Sequence, residues 1–187
     1  MLSEAEFSPA GVQDASVTAA PLTASSPSSL LAGNGVIQTF AFLPAGQILA
    51  GSEVGGTVED DTDAQVQRLN AGGTVDATFA SPQIDFNGIE GGRNDSAVES
   101  LAVQPGGKVL VGGNTGLARV NADGTRDTTF GTGGTELRAP SPLADTSLPT
   151  SGLLAVLPNG EFLAIGDGTN SLTGTGPTEL ILTRYFQ

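Results

Sequence analysis

The residue types that most often carry out chemistry in proteins are scarce in this chain of 187 residues. It has no histidine and no cysteine, so the commonest general base and metal ligand and the commonest thiol nucleophile are absent together. Histidine- and cysteine-dependent catalysis is therefore excluded. The sequence predicts no catalytic residue, no cofactor and no bound metal.

Carboxylates are the abundant reactive groups, with 20 acidic residues against 7 basic ones and a formal net charge of −13. Two carboxyl groups that converge on a concave surface can hydrolyse a glycosidic bond. A carbohydrate-active enzyme, or a lectin that uses surface carboxylates, is therefore the alternative to a noncatalytic role. With so many acids, a pair of neighbouring carboxylates is expected by chance.

Two short motifs have possible site chemistry. The acidic run Glu59-Asp-Asp-Thr-Asp63 could hold calcium through several carboxylate oxygens. Its spacing lacks the alternating Asp-x-Asp-x-Asp-Gly framework of calcium loops, which favours a solvated acidic loop. Asn94-Asp-Ser96 fits a glycosylation sequon by pattern only. Neither motif is predicted to be a site.

The acidic balance and the hydropathy also limit the partners. An acidic surface repels phosphate backbones and anionic lipid heads, so we expect no nucleic-acid ligand. No apolar run approaches the ~20 residues of a membrane-spanning helix, so we expect a chain that does not span the membrane. The first residues lack the basic and apolar regions of a signal peptide, so an export signal would lie outside this numbering.

Three copies of one pattern organise the chain: an apolar strand, a Pro-x-Gly turn, a second apolar strand, and a third strand that carries an arginine. The turn prolines are Pro44, Pro105 and Pro158, at spacings of 61 and 53 residues. Self-similarity at such a period indicates one supersecondary unit packed on copies of itself. The sequence therefore predicts an all-β fold of three four-stranded units in a single repeat domain over residues 1–187.

The turns and the second strands predict how each unit is built. Proline begins each turn at φ near −65°, and glycine follows two residues later where a positive φ is needed, so each turn joins two antiparallel strands. The second strand is apolar on successive residues, as in Val109-Leu-Val111, which predicts burial on both of its faces. We therefore expect small sheets that pack face to face in series.

The predicted units span residues 36–90, 97–139 and 151–187. The first two end in a motif that is missing after the third, and a similar motif ends at Phe7, so we predict that residues 4–19 complete the third unit. The completing strand is predicted near residues 11–19. Residues 21–34 have linker composition and are predicted to lie on the surface.

Charged and aromatic residues recur at fixed positions of the unit. Arg68, Arg119 and Arg184 share one position, and Asp76 and Asp127 share another. A charge repeated in every unit is more often a structural pair that fixes a turn than a site, because a site is seldom needed three times. The phenylalanines that recur after the aspartates are predicted to be apolar plugs between units; they are Phe7, Phe79 and Phe130.

The middle copy has the fullest set of motifs, Val103-Gln-Pro-Gly-Gly-Lys-Val-Leu-Val-Gly112, Leu117-Ala-Arg-Val-Asn-Ala-Asp-Gly124 and Asp127-Thr-Thr-Phe-Gly-Thr-Gly-Gly134. They resemble the delta-60 repeats of bacterial β-propeller-like proteins. The resemblance implies a propeller-like fold, no catalytic residues to carry over, and a periplasmic or extracellular location.

Three units are fewer than the roughly four to eight blades that close a propeller ring. We therefore expect the first and last units to present apolar faces, with Phe40, Phe42, Phe162 and Ile165, that must be covered. A protein partner or a second copy of the chain would cover them. The predicted function is a noncatalytic structural or protein-binding module in a larger extracytoplasmic or envelope assembly.

Overall fold

The described part of the chain folds into three antiparallel sheets. The structure is a computed structural model that describes residues 37–55, 62–86, 96–113, 116–137, 153–169 and 178–186. Within these ranges the chain contains no α-helix, and its only helical element is one 3₁₀ turn at Pro44–Gly46. The prediction of an all-β repeat fold is confirmed.

The sheets follow one another along the chain. The first contains β1 (Ile37–Phe42), β2 (Ile48–Gly55), β3 (Thr62–Leu69) and β4 (Gln83–Ile84), and the second contains β5 (Val98–Val103), β6 (Val109–Gly113), β7 (Gly116–Val120) and β8 (Thr135–Leu137). The third contains β9 (Leu153–Val156), β10 (Phe162–Thr169) and β11 (Thr178–Tyr185), with β10 in the centre. Neighbours in sequence are neighbours in each sheet, so each unit is a simple meander.

The three Pro-x-Gly turns form as predicted. Gly46, Gly107 and Gly160 have φ of 78°, 85° and 89°, a region that residues with a side chain adopt at a cost. Each turn is closed by the N–H of the residue before proline, which donates to the carbonyl of the residue after glycine; in the first turn Leu43 N lies 2.8 Å from Gln47 O. The first and second sheets also share a register shift at one position, between Ile37 and Thr39 and between Val98 and Ser100.

Two hydrophobic cores lie between the sheets. Leu49 and Val66 of the first sheet pack with Val109 and Val111 of the second. Leu110, from the opposite side of β6, packs in a second core with residues of the third sheet. The predicted burial of β6 on both faces is therefore confirmed. We call the side of a sheet that packs on the following unit its forward face, and the side that packs on the preceding unit its backward face. The same names are used for the equivalent outer sides of the first and third sheets.

The third sheet departs from one prediction. Phe162 was expected on an exposed terminal face, but only 2% of its surface is accessible. Its ring stacks on Tyr185 with centroids 4.6 Å apart and lies 6.2 Å from the ring of Phe130. Phe162 lies on the backward face of β10, so the second unit covers it. Leu163 and Ile165, on the forward face, are only half-buried.

Several predictions fall outside the described residues. These are the completing strand within residues 4–19, the linker at 21–34, residues 59–61 of the acidic run, and Asn94 of the sequon. In the part of the third unit that the structure describes, the sheet has three strands. No helix in the described ranges has the length and apolar character that crossing a membrane requires.

The packing of the first unit on the second predicts a large difference between two strand-end glycines. A Cβ at Gly113 would lie 2.2 Å from Cε2 of the buried Phe86 ring, whereas a Cβ at Gly55 would meet no atom within 4 Å. We expect Gly113→Ala to lower the free energy of unfolding by about 1–3 kcal/mol, because the aromatic ring must shift. Gly55→Ala is the control and should have little effect. Equal denaturation midpoints for the two variants would contradict this packing.

Candidate functional site

The arginine and aspartate that recur in the first unit meet after β3. Arg68 Nε donates to Asp76 Oδ2 over 2.8 Å. The other carboxylate oxygen accepts from Thr78, from the backbone N at 2.9 Å and from Oγ1 at 2.6 Å. The Arg68 guanidinium lies over the ring of Phe79, 4.9 Å from its centroid. These four residues form what we call the arginine cluster of the unit.

The second unit repeats the cluster with one additional charge. Arg119 Nε donates to Asp127 Oδ2 over 2.6 Å, Thr129 binds the other oxygen, and the guanidinium lies 4.9 Å from the centroid of Phe130. Lys108, directly after the Pro-x-Gly turn, adds a 2.7 Å bond to Asp127 Oδ2. The expected structural pairing of arginine with aspartate is confirmed in both units, and both carboxylates are buried.

Backbone hydrogen bonds hold each aspartate in place. Asp127 N donates to Arg119 O, and Phe130 N donates back to Asp127 O. The same two bonds occur around Asp76 in the first unit. A carboxylate that caps the N–H two residues ahead is a common turn device. The loop therefore folds locally and presents the carboxylate to the third strand of its own unit.

These contacts keep the carboxylates ionised. Hydrogen bonds from the side chain and backbone of Thr78, together with Arg68, lower the pKa of Asp76 to about 2. Burial acts to raise the pKa of Asp127, but hydrogen bonds from Lys108, Thr129 and Arg119 outweigh it and hold the pKa well below its usual range. Both groups therefore stay ionised well below the ordinary pKa of a carboxyl group, and their oxygens are occupied by internal donors.

The third unit builds its cluster from different residues. Arg184 donates through Nε and Nη2 to Glu161 Oε2, with Nε at 3.1 Å, and lies 5.3 Å from the centroid of Phe186. Glu161 was not predicted from the sequence. It occupies the position after the turn that is Gln47 in the first unit and Lys108 in the second. The aligned position changes from a positive charge in the second unit to a negative charge in the third. This change is the sequence signal that could have identified Glu161 as the partner of Arg184.

The clusters also join one unit to the next. Arg68 Nη1 donates over 2.8 Å to the carbonyl of Ala122, in the turn after β7 of the second unit. Ala80 N donates to the carbonyl of Asp123 in the same turn over 2.8 Å. A Cβ at Gly124 would lie 2.8 Å from Cδ1 of Phe79, so this ring packs directly on the turn. Phe79 is the predicted plug between units, and Phe130 serves the same role in the second core.

Large apolar side chains are exposed at both ends of the series of sheets. On the backward face of β1, Phe40 and Phe42 are 61% and 70% exposed, with their rings 5.5 Å apart. On the forward face of the third sheet, Leu153 and Leu182 are 66% and 60% exposed. They flank Ile165 in register across the three strands. The predicted exposure of Phe40 and Phe42 is confirmed.

The backward face of the first sheet becomes polar away from its turn. Ser52, Gln65 and Gln67 are buried there, and Ser52 Oγ, Gln65 Oε1 and Gln67 Oε1 have no hydrogen-bond partner in the described structure. The second sheet has small residues at the corresponding positions of its third strand. The face is therefore apolar beside the Pro-x-Gly turn and rich in hydrogen-bond acceptors farther along.

Comparison with known families matches the same segments. The family described as "Domain of unknown function (DUF5122) beta-propeller" matches residues 44–79 and 104–130. Each match begins at a Pro-x-Gly turn and ends at the phenylalanine of an arginine cluster. A search of curated proteins found no match to this chain.

Fold and comparison together define the class of protein. Three successive meander sheets packed face to face, with two segments similar to a β-propeller family, are a β-propeller-type repeat. The sheets do not close into a ring within the described residues. These residues also contain no group of three or more acidic side chains placed to hold a metal ion.

The cluster of the second unit predicts a stability effect. Asp127→Asn keeps the shape of the side chain but leaves Lys108 and Arg119 without their buried anion. We expect the free energy of unfolding to fall by about 2–4 kcal/mol, measured by chemical denaturation. Asp123→Asn is the matched control, because Asp123 also accepts from a threonine two residues ahead but is exposed. A similar loss in both variants would show that the ion pairs contribute little.

The lowered pKa of Asp76 predicts a pH dependence. A carboxyl group whose folded-state pKa lies below its unfolded value stabilises the fold above the unfolded pKa and loses that effect as pH falls through the folded pKa. The window for Asp76 runs from about pH 4, its ordinary value, down to about 2. The difference in unfolding free energy between wild type and Asp76→Asn should be constant above pH 5 and shrink toward pH 2. A constant difference down to pH 2.5 would contradict the assignment.

Proposed function

We propose that this chain is a noncatalytic β-propeller-type module that works by binding protein through its exposed sheet faces. The observation that carries the proposal is the distribution of its side chains. The polar groups that recur in the units are occupied by internal contacts, whereas large apolar residues are exposed on the two terminal faces. Exposed apolar patches of this kind are typical of protein-binding surfaces.

The enzyme alternative receives no support from the carboxylates of the repeat. Glycoside hydrolysis needs one carboxyl group with a raised pKa that can donate a proton. Asp76 and Asp127 have lowered pKa values, and so do Asp123, through its bonds to Thr125, and Glu161, through its bond to Arg184. None of these four groups can serve as the proton donor near neutral pH.

The proposal includes an extracytoplasmic location and membership of a larger assembly. Its support is the similarity of the middle copy to the delta-60 repeats, which occur in exported bacterial proteins, together with the match to a β-propeller family over two units. Fractionation of a host cell that carries the natural gene tests the location. Recovery of the chain in the cytosolic fraction alone would contradict it.

Photocrosslinking tests the protein-binding role. We expect p-benzoylphenylalanine in place of Phe42, on the exposed backward face, to give protein adducts after irradiation in the producing cells. The same probe in place of Thr128, exposed on the middle unit, is the control and should give none. Glycan-array binding that is lost on mutation of a surface carboxylate, with no adduct from position 42, would instead support the lectin or enzyme alternative.

A further inference from the structure

We propose that the forward face of the third sheet docks on the backward face of the first sheet in a second copy of this chain. This inference rests on the proposed protein-binding function and names its partner. The contact is head-to-tail: one copy supplies Leu153, Ile165 and Leu182, and the other supplies Phe40 and Phe42. The argument depends on a contact that the chain already makes twice within itself.

The exposed residues of the first sheet occupy positions that are buried in the other two. Counting from the turn prolines, Phe40 and Phe42 correspond to Leu101 and Val103 of the second sheet and to Leu154 and Val156 of the third. Leu101 and Val103 pack against the first core, and Leu154 and Val156 pack against the second. Each of those pairs lies against the forward face of the preceding unit. Phe40 and Phe42 are therefore exposed at the positions where the other two sheets contact the preceding unit.

On the forward face of the third sheet, residues are more exposed than their equivalents in the first and second sheets. Leu163 corresponds to Leu49 and Leu110, each of which is buried against the following unit. Ala155 likewise corresponds to Ala41 and Ala102, which pack against the first and second cores. In the third sheet Ala155 is exposed and Leu163 is half-buried. The chain thus has at its two ends a forward and a backward face that correspond to the two sides of its internal interfaces. They differ at one position, because Ile165 replaces the glycine that is Gly51 in the first sheet and Gly112 in the second, so the docked sheets must lie farther apart there.

The third arginine is placed to take part in this contact. Arg184 pairs with Leu163 across the strands and so lies on the forward face, as Arg68 does opposite Leu49. Arg68 Nη1 reaches the carbonyl of Ala122 in the following unit. The corresponding carbonyl in the first unit is that of Ala71, in the turn after β3. Arg184 in one copy would therefore face Ala71 in the other.

The head-to-tail geometry and the net charge predict how the assembly closes and how it responds to salt. A head-to-tail contact uses two different surfaces, so it closes into a ring or continues as a filament. Two copies would provide six units, within the roughly four to eight blades of closed propellers. The net charge of −13 per chain opposes association. Because salt screens that repulsion, the dimer should become tighter between about 0.02 and 0.15 M salt.

Complementation between two variants tests the proposal with the full chain. Phe40→Glu/Phe42→Glu blocks the backward face, and Leu153→Glu/Leu182→Glu blocks the forward face. By analytical ultracentrifugation at about 0.15 M salt, we expect wild type to have the mass of two chains and each variant alone the mass of one. An equimolar mixture of the variants should form a one-to-one dimer, because one intact face of each kind remains. Thr128→Glu/Thr132→Glu, exposed on the middle unit, adds the same charge and should behave as wild type.

A disulfide probe provides a second measurement, which can trap the docked pair even when its affinity is low. The chain has no cysteine of its own. Inside the chain, Gly51 and Val98 face each other across the first interface, and a Cβ at Gly51 would lie 2.9 Å from Val98 Cβ. A disulfide needs about 3.5–4.5 Å between Cβ atoms, so two cysteines at the equivalent positions can be bridged only if the sheets dock slightly farther apart. The corresponding positions at the two ends are Ile165 and Ile37. Mixing the Ile165→Cys and Ile37→Cys proteins under oxidation should give a mixed disulfide in preference to either homodimer.

The outcomes separate this inference from the proposed function. A wild-type monomer at ~100 µM, a mixture that stays monomeric while both variants keep the wild-type circular dichroism spectrum, or homodisulfides in place of the mixed one would each overturn head-to-tail docking. Photocrosslinks from position 42 to another protein only, with a monomeric wild type, would leave the proposed function standing and exclude a second copy as the partner. Adducts from position 42 to this same chain would support both.

Discussion

A strand that is apolar on successive residues must be covered on both sides, and the architecture of this chain follows from that constraint. In β6, Val109 and Val111 point to one neighbour and Leu110 to the other, so a single sheet contributes to two cores. Such a unit cannot bury its apolar surface by folding alone. Stability is therefore a property of the contacts between units as much as of any one sheet. Glycines such as Gly113 allow these contacts to be close.

In the first two units, the arginine clusters also fix the loop that follows the third strand. There each cluster binds one aspartate by guanidinium, threonine and backbone donors, and the guanidinium also covers an aromatic ring. The carboxylate is an anchor that stays charged in acid well below its ordinary range, as the pKa of Asp76 shows. Because the oxygens are filled by internal donors, the most strongly perturbed acids of the repeat have structural roles. Strong perturbation by itself does not identify a catalytic group.

Much of the fold could be predicted from sequence because its signals are local. The Pro-x-Gly turns, the repeated motif and the pairing of Arg68 with Asp76 each depend on residues within a short stretch of chain. The burial of Phe162 could not be predicted in the same way, because the turn does not say which face of β10 meets the second unit. Glu161 was missed for a related reason. Arg184 lies 23 residues from it, and only alignment of the three hairpins brings the two positions together.

Beside the hydrophobic core, the joint between the first and second units contains polar contacts to main-chain atoms. Arg68 and the N–H of Ala80 both donate to carbonyl oxygens of the turn after β7, and a carbonyl oxygen is present whatever the side chain. Mutation of the turn can therefore change its side chains without removing the acceptors, provided that the backbone keeps its path. Ala71-Gly-Gly73 and Ala122-Asp-Gly124 already differ in this way. Repeat units whose polar contacts go to main-chain atoms can therefore differ in their exposed side chains and still make the same contacts with one another.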